Sequence, residues 1–196
     1  YFGNKLYTPP KENYMQPRVE LIGTDVRFLD GARTPWANKV TALANNEEYI
    51  HTVSMLAAAY AAKGHKVLVV SDRVSFLKVC TKLVGEKAVC VTGEVPHEER
   101  EEIINEIKYK NKEVLFGTQS IFSEGISVDN LSCLILGTPI NNTPLLTQLI
   151  GRVIRKHEGK IQPVIVDIQL KGNTAKRQAS NRIGHYMKED YDIKYI

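Results

Sequence analysis

The chain has 196 residues, 43% of them hydrophobic and 24% charged, with a formal net charge of +4. That suits one globular domain large enough to bury a core without staples. No run approaches the length of a membrane span, and the first residues, YFGNKLYTPP, hold no apolar signal core. The mild basic excess permits a nucleic-acid partner without requiring one. Cys80, Cys90 and Cys133 lie in or beside apolar stretches and outside any CxxC pair. They read as buried thiols in a reducing, cytoplasmic setting, with neither a disulfide nor a zinc site.

The stretch 1–17 carries three prolines and reads as a linker or arm. Its abrupt start suggests a piece of a longer chain. Residues 18–28 read as a strand. Residues 29–46 have turn chemistry without a clean period and read as a loop or small insertion. A helix is predicted over 47–63, with Ile50, Val53 and Ala57 on one face and Gly64 as its C-terminal stop. The run KVLVV at 66–70 suits a buried parallel strand.

A helix over 73–83 and a strand over 88–91 follow. The helix at 96–108 has Pro96 in its first turn and four glutamates near its positive end. Strands over 114–116 and 131–136 precede a helix over 143–155, with Thr143 as cap and Pro144 behind it. A last strand at 163–168 and a basic C-terminal helix within 171–196 complete the chain. Strands alternating with helices at this spacing predict an α/β fold, a parallel sheet with helices on both faces.

In such sheets ligands bind beyond the carboxyl ends of the strands. Three strands in succession end in a hydroxyl residue: Ser71-Asp72, Thr92-Gly93 and, after Gly117, Thr118-Gln119. Each precedes a helix, whose free N–H groups favour anions. Any one of these side chains reads as a simple helix cap; three together suit a row of phosphates.

On the 143–155 helix, Leu146, Leu149, Ile150, Val153 and Ile154 fall on one stripe and Gln148, Arg152 and Arg155 on the other. One Gln and two Arg together offer planar donors to phosphate oxygens. By itself the stripe also fits a solvated basic face.

QLIGRVIR at 148–155 resembles motif VI, QxxGRxxR, of superfamily 2 helicases. FGTQSIFSEGISVDNLSCLIL at 116–136 resembles their motif V, and KVLVVSDRVSFL at 66–77 their motif IV. The stretch 91–118 is similar to the segment between, so the resemblance spans roughly residues 47–168 in order. The nearest look is to the UvsW-type and XPB-like DNA helicases.

The resemblance implies a C-terminal RecA-like motor domain with ATP and Mg²⁺ as cofactors. Arg155 matches the arginine finger, Arg152 its phosphate-facing neighbour, and Gln148 the motif VI glutamine near the nucleotide. Glu124 and Gly125 match the nucleotide edge of motif V. Ser127 stands where the family often has Asp, which weakens nucleotide contact there. Ser71, Thr92, Gly93, Thr118 and Gln119 match the nucleic-acid contacts. The implied partner is single-stranded or branched DNA, with remodelling of branched DNA or R-loops as the activity and the cytoplasm (the host's, for a viral protein) as the location. An RNA helicase, a restriction-enzyme translocase half and a non-catalytic phosphate-binding module stay open as alternatives.

The sequence has no GxxxxGK[ST] loop and no DExx box. The phosphate cradle and the metal ligand are therefore expected in an N-terminal RecA-like domain ahead of Tyr1.

The five histidines show no metal-ligand spacing and read as surface or core residues. Asp167, ending a strand, suits a cap or a salt bridge. Trp36 and Tyr49 could stack on a base, although Trp36 suits packing within its insertion. Lys171, Lys176, Arg177, Arg182 and Lys188 fit either a phosphate backbone or a solvated helix face.

Overall fold

The computed structural model describes residues 11–109, 111–123 and 126–196. Glu124, Gly125 and the first ten residues of the arm lie outside the described residues. Seven strands form one sheet: β1 (Arg18–Arg27), β2 (Val67–Val70), β3 (Ala88–Val91), β4 (Val114–Gly117), β5 (Cys133–Leu136), β6 (Val164–Lys171) and β7 (Asp192–Tyr195). Their order is β3-β4-β2-β5-β6-β1-β7, with every pairing parallel.

The helices are α1 (Trp36–Ala44), α2 (Glu47–Ala62), α3 (Val74–Val84), α4 (His97–Tyr109), α5 (Ser120–Ser123), α6 (Thr143–Val153) and α7 (Asn173–Lys188). Side chains alternate across a strand, so the central run VLVV divides its four residues between two cores. Val67 and Val69 join Tyr49, Val53, Phe76 and Leu77 beneath α2 and α3. Leu68 and Val70 join Ile104, Ile107, Leu146 and Leu149 beneath α4 and α6. Burial on both faces is why these strands read as unbroken apolar runs. The predicted architecture, a parallel sheet with helices on both faces, is the one observed.

Four local expectations need correction. The segment 29–46 contains α1, a nine-residue helix with no side-chain cap. The C-terminal segment 171–196 is more than a helix, because after α7 the chain returns as β7 and pairs with β1. The cap of α6 is Asn142, whose side chain accepts from Leu145 N at 3.0 Å, while Thr143 is already helical.

Finally, α6 stops at Val153 rather than continuing to Arg155. Met15 N donates to Ile154 O at 2.6 Å and Lys156 N to Asn13 O at 3.0 Å, with Tyr14 bridged to Arg155. The described part of the arm thus takes the backbone groups that another helical turn would need.

Candidate nucleotide and nucleic-acid site

The carboxyl ends of β3, β4, β2 and β5 lie side by side in that order. Gly117 is level with both Val70 and Val91, and Val70 with Leu136. The residues that follow, Thr92, Thr118 and Ser71, therefore form the row read from the sequence. Thr138, after β5, extends the row; the sequence reading missed it, although GT after CLIL repeats the GT after VLF. Ser71 Oγ and Thr138 Oγ1 share a hydrogen bond of 3.0 Å, and Arg73 N donates to Ser71 Oγ at 3.1 Å.

Gly137 permits this approach, since a Cβ there would stand 2.8 Å from Val70 O. All four hydroxyl residues are buried. They form the floor of the edge, while Gly93 is exposed and Gln119 half-buried at its rim.

Of the expected apolar stripe, Leu146, Leu149, Ile150 and Val153 are buried on α6, whereas Ile154 is half-buried just past the helix end; Gln148 is exposed. The two arginines differ. Both were read onto the stripe opposite the apolar one, but Arg152 is half-buried and Arg155 exposed. Its Nη1 donates to Ile126 O at 3.0 Å and its Nη2 to Phe122 O. It thereby ties α6 to Phe122 in α5 and to Ile126. Burial, and then the charge of Arg155, push its pKa down.

Arg155 lies beyond the helix end with its side chain about half exposed, 3.7 Å from Asp129 Oδ1. Asp129 also accepts from Ser127 Oγ at 2.9 Å, so Ser127 is turned toward this pair. Lys160 Nζ donates to the carbonyls of Arg155 (2.6 Å) and Asp129 (3.1 Å). Burial lowers the Lys160 pKa to about 8, against the opposing pull of Asp129. Neither Asp129 nor Lys160 carries a sequence signal for this role, since the contacts bring together separated loops.

Asp167 forms a salt bridge, one of its two expected roles. Arg182 Nε and Nη2 reach its two oxygens at 2.8 and 3.0 Å, and Tyr186 Oη donates at 2.8 Å. Arg182 is therefore buried and leaves the proposed basic surface, while Lys171, Lys176, Arg177 and Lys188 remain exposed. Tyr49 is also removed as a stacking candidate: it is buried, with its hydroxyl donating to Gly137 O at 2.6 Å.

A parallel sheet covered by helices on both faces, with hydroxyls along its carboxyl edge, is a RecA-like fold. Residues 47–157 match the helicase conserved C-terminal domain, and the chain belongs to that family. It is 39% identical over 189 residues to the probable helicase D10 of Escherichia phage T5, covering 95% of this chain and 42% of that protein. It is 28% identical over 160 residues to the ATP-dependent DNA helicase uvsW of Enterobacteria phage T4, covering 80% of this chain and 31% of that one.

The crystal structure of T4 UvsW superposes with a TM-score of 0.71 at 23% identity, over 91% of this chain and 41% of that one. The chain thus spans less than half the length of these relatives. No helix among the described residues is long and apolar enough to cross a membrane.

Proposed function

We propose that this chain is the second motor half of an ATP-driven DNA helicase, acting in the cytoplasm on single-stranded or branched DNA, including R-loops. The observation that carries the reading is Arg155, an exposed guanidinium beside α6 whose only ion pair among the described residues is solvent-exposed. In this role Arg155 serves as the arginine finger toward ATP held by a preceding RecA-like domain. Gln148 faces the same nucleotide, Arg152 anchors α6 to Phe122 and Ile126, and Glu124 and Gly125 border the nucleotide.

Bound ATP with Mg²⁺ supplies the phosphoryl group whose hydrolysis drives movement; this chain supplies planar positive charge to it. The strand-end edge, with Gly93 exposed and Gln119 half-buried at the rim above Thr92, Thr118 and Ser71, follows the nucleic-acid backbone. DNA is preferred because the T4 relative is named a DNA helicase.

The test is ATP turnover by a two-domain protein containing this chain, with and without DNA. DNA-stimulated turnover that disappears in Arg155→Ala supports the reading. ATP hydrolysis above background by the 196-residue chain alone would overturn the division of labour, and stimulation by RNA but not DNA would overturn the choice of substrate.

A further inference from the structure

Beside the strand-end edge lies a cleft of about 310 Å³, near the lower end of small-molecule sites. Its lining includes Trp36, Asp72, Gln119, Asn141 and Asn142. Trp36, the sole tryptophan of the chain, opens α1. It meets Phe28 edge-on at 5.4 Å, yet remains 40% exposed. Tryptophan is usually well buried, so an indole left open at a cleft is informative.

Its position is also fixed. Arg73, just after β2, donates from Nη2 to Ala37 O at 3.0 Å and pairs through Nη1 with Asp72 at 3.1 Å. The first turn of α1 is thereby tied to the same edge on which Gln119 lies.

The geometry points to Trp36 as a stacking platform for a nucleobase of a single strand bound along this edge. This rests on the proposed nucleic-acid track and adds a base contact to it. The cleft suits a base better than a phosphate. Its lining offers no Lys, Arg or His to a phosphate, and its one charged residue, Asp72, is already paired with Arg73, whereas an indole face accepts the π-face of any base. The side-chain amides of Gln119 and Asn141 offer donors and acceptors to base edges. Stacking is tolerant of sequence, so the platform fits a motor that must step along every sequence.

Because the chain has one tryptophan, its intrinsic fluorescence reports directly on the site. A short thymidine oligonucleotide and an abasic backbone of the same length are titrated into the 196-residue chain, followed by Trp36 fluorescence, and into it and its Trp36→Ala and Trp36→Phe variants by isothermal titration calorimetry, with urea midpoints confirming folding. The oligonucleotide should quench Trp36 fluorescence and the abasic backbone should not. Trp36→Ala should bind the oligonucleotide roughly tenfold more weakly, Trp36→Phe less so, and all three proteins should bind the abasic backbone alike. Equal quenching by both ligands, or wild-type affinity in folded Trp36→Ala, overturns stacking and leaves the track intact. Failure of the wild-type chain to bind either ligand overturns the track and the platform together.

Discussion

Arg155 Nη1 stands 3.7 Å from Asp129 Oδ1, and each side chain is about half exposed. An exposed pair of this kind is worth about 0–1 kcal/mol, so the guanidinium can leave Asp129 at little cost. Arg155→Ala should therefore change the urea unfolding free energy by no more than about 0.5 kcal/mol. In the two-domain enzyme the same substitution should lower kcat by about 10³-fold or more. Arg155→Lys should restore little, because a point charge replaces a planar fork. Steady-state ATP hydrolysis decides it, and wild-type turnover in Arg155→Ala would remove the finger assignment.

Arg152 should behave differently. Its donors are committed to the carbonyls of Phe122 and Ile126, and hydrogen bonds from a charged group contribute about 1.5–3 kcal/mol each. Arg152→Ala should lower stability by about 1–3 kcal/mol, since water replaces part of the loss at this half-buried site. Turnover should fall as well. Urea melts of the two alanine variants side by side make the comparison. Equal midpoints would show that the bonds from Arg152 to Phe122 and Ile126 do not stabilise the fold.

The sequence revealed the central strands because both faces of each are covered, so the apolar run is continuous. β7, DIKY, is a mostly exposed edge strand and carries no such run. α1 has no side-chain cap and only nine residues, too few for a persistent period. The early end of α6 depends on pairing with Asn13 and Met15, a contact between distant segments that no local window contains.

Arg182 was legible after all. Ala175, Ala179, Arg182 and Tyr186 are spaced four, three and four residues apart, and all are buried on α7. An arginine on that stripe demands a buried partner, and Asp167 is the acidic residue of the neighbouring strand.

Removing one member of that pair should be costly. Breaking a buried ion pair typically destabilises by about 3–5 kcal/mol, because the other charge is left uncompensated. Arg182→Met and Asp167→Leu should each show such a loss, and the double variant should lose less than the sum. In contrast, replacing the exposed Lys176 and Arg177 with Ala should leave the midpoint near wild type. If the basic face of α7 meets DNA, that double variant should instead lower the salt dependence of binding. Additive losses at Arg182 and Asp167 would show that the two do not act as a pair.

His65 links folding to pH. It is 3% exposed, with Nδ1 2.8 Å from Ser132 Oγ. Burial, reinforced by the charge of Arg18, lowers its pKa from 6.5 to about 4. The unfolded chain takes up the proton near 6.5, whereas the folded protein resists until near 4. The contribution of His65 is therefore fully present above about pH 6.5, is lost as pH falls toward about 4, and levels off below. At 1.36 kcal/mol per pKa unit the whole window spans roughly 3 kcal/mol.

Carboxylates titrate at the lower end of the same range, so the informative quantity is the difference between wild type and His65→Gln. Glutamine keeps a polar group for Ser132 but has no proton to take up. It should lower stability near neutral pH through imperfect packing, and the gap to wild type should narrow as the solution is acidified. Urea unfolding at a series of pH values across the window measures that gap. Parallel curves would mean that His65 is charged in the folded state, or that its site opens to water before the chain unfolds.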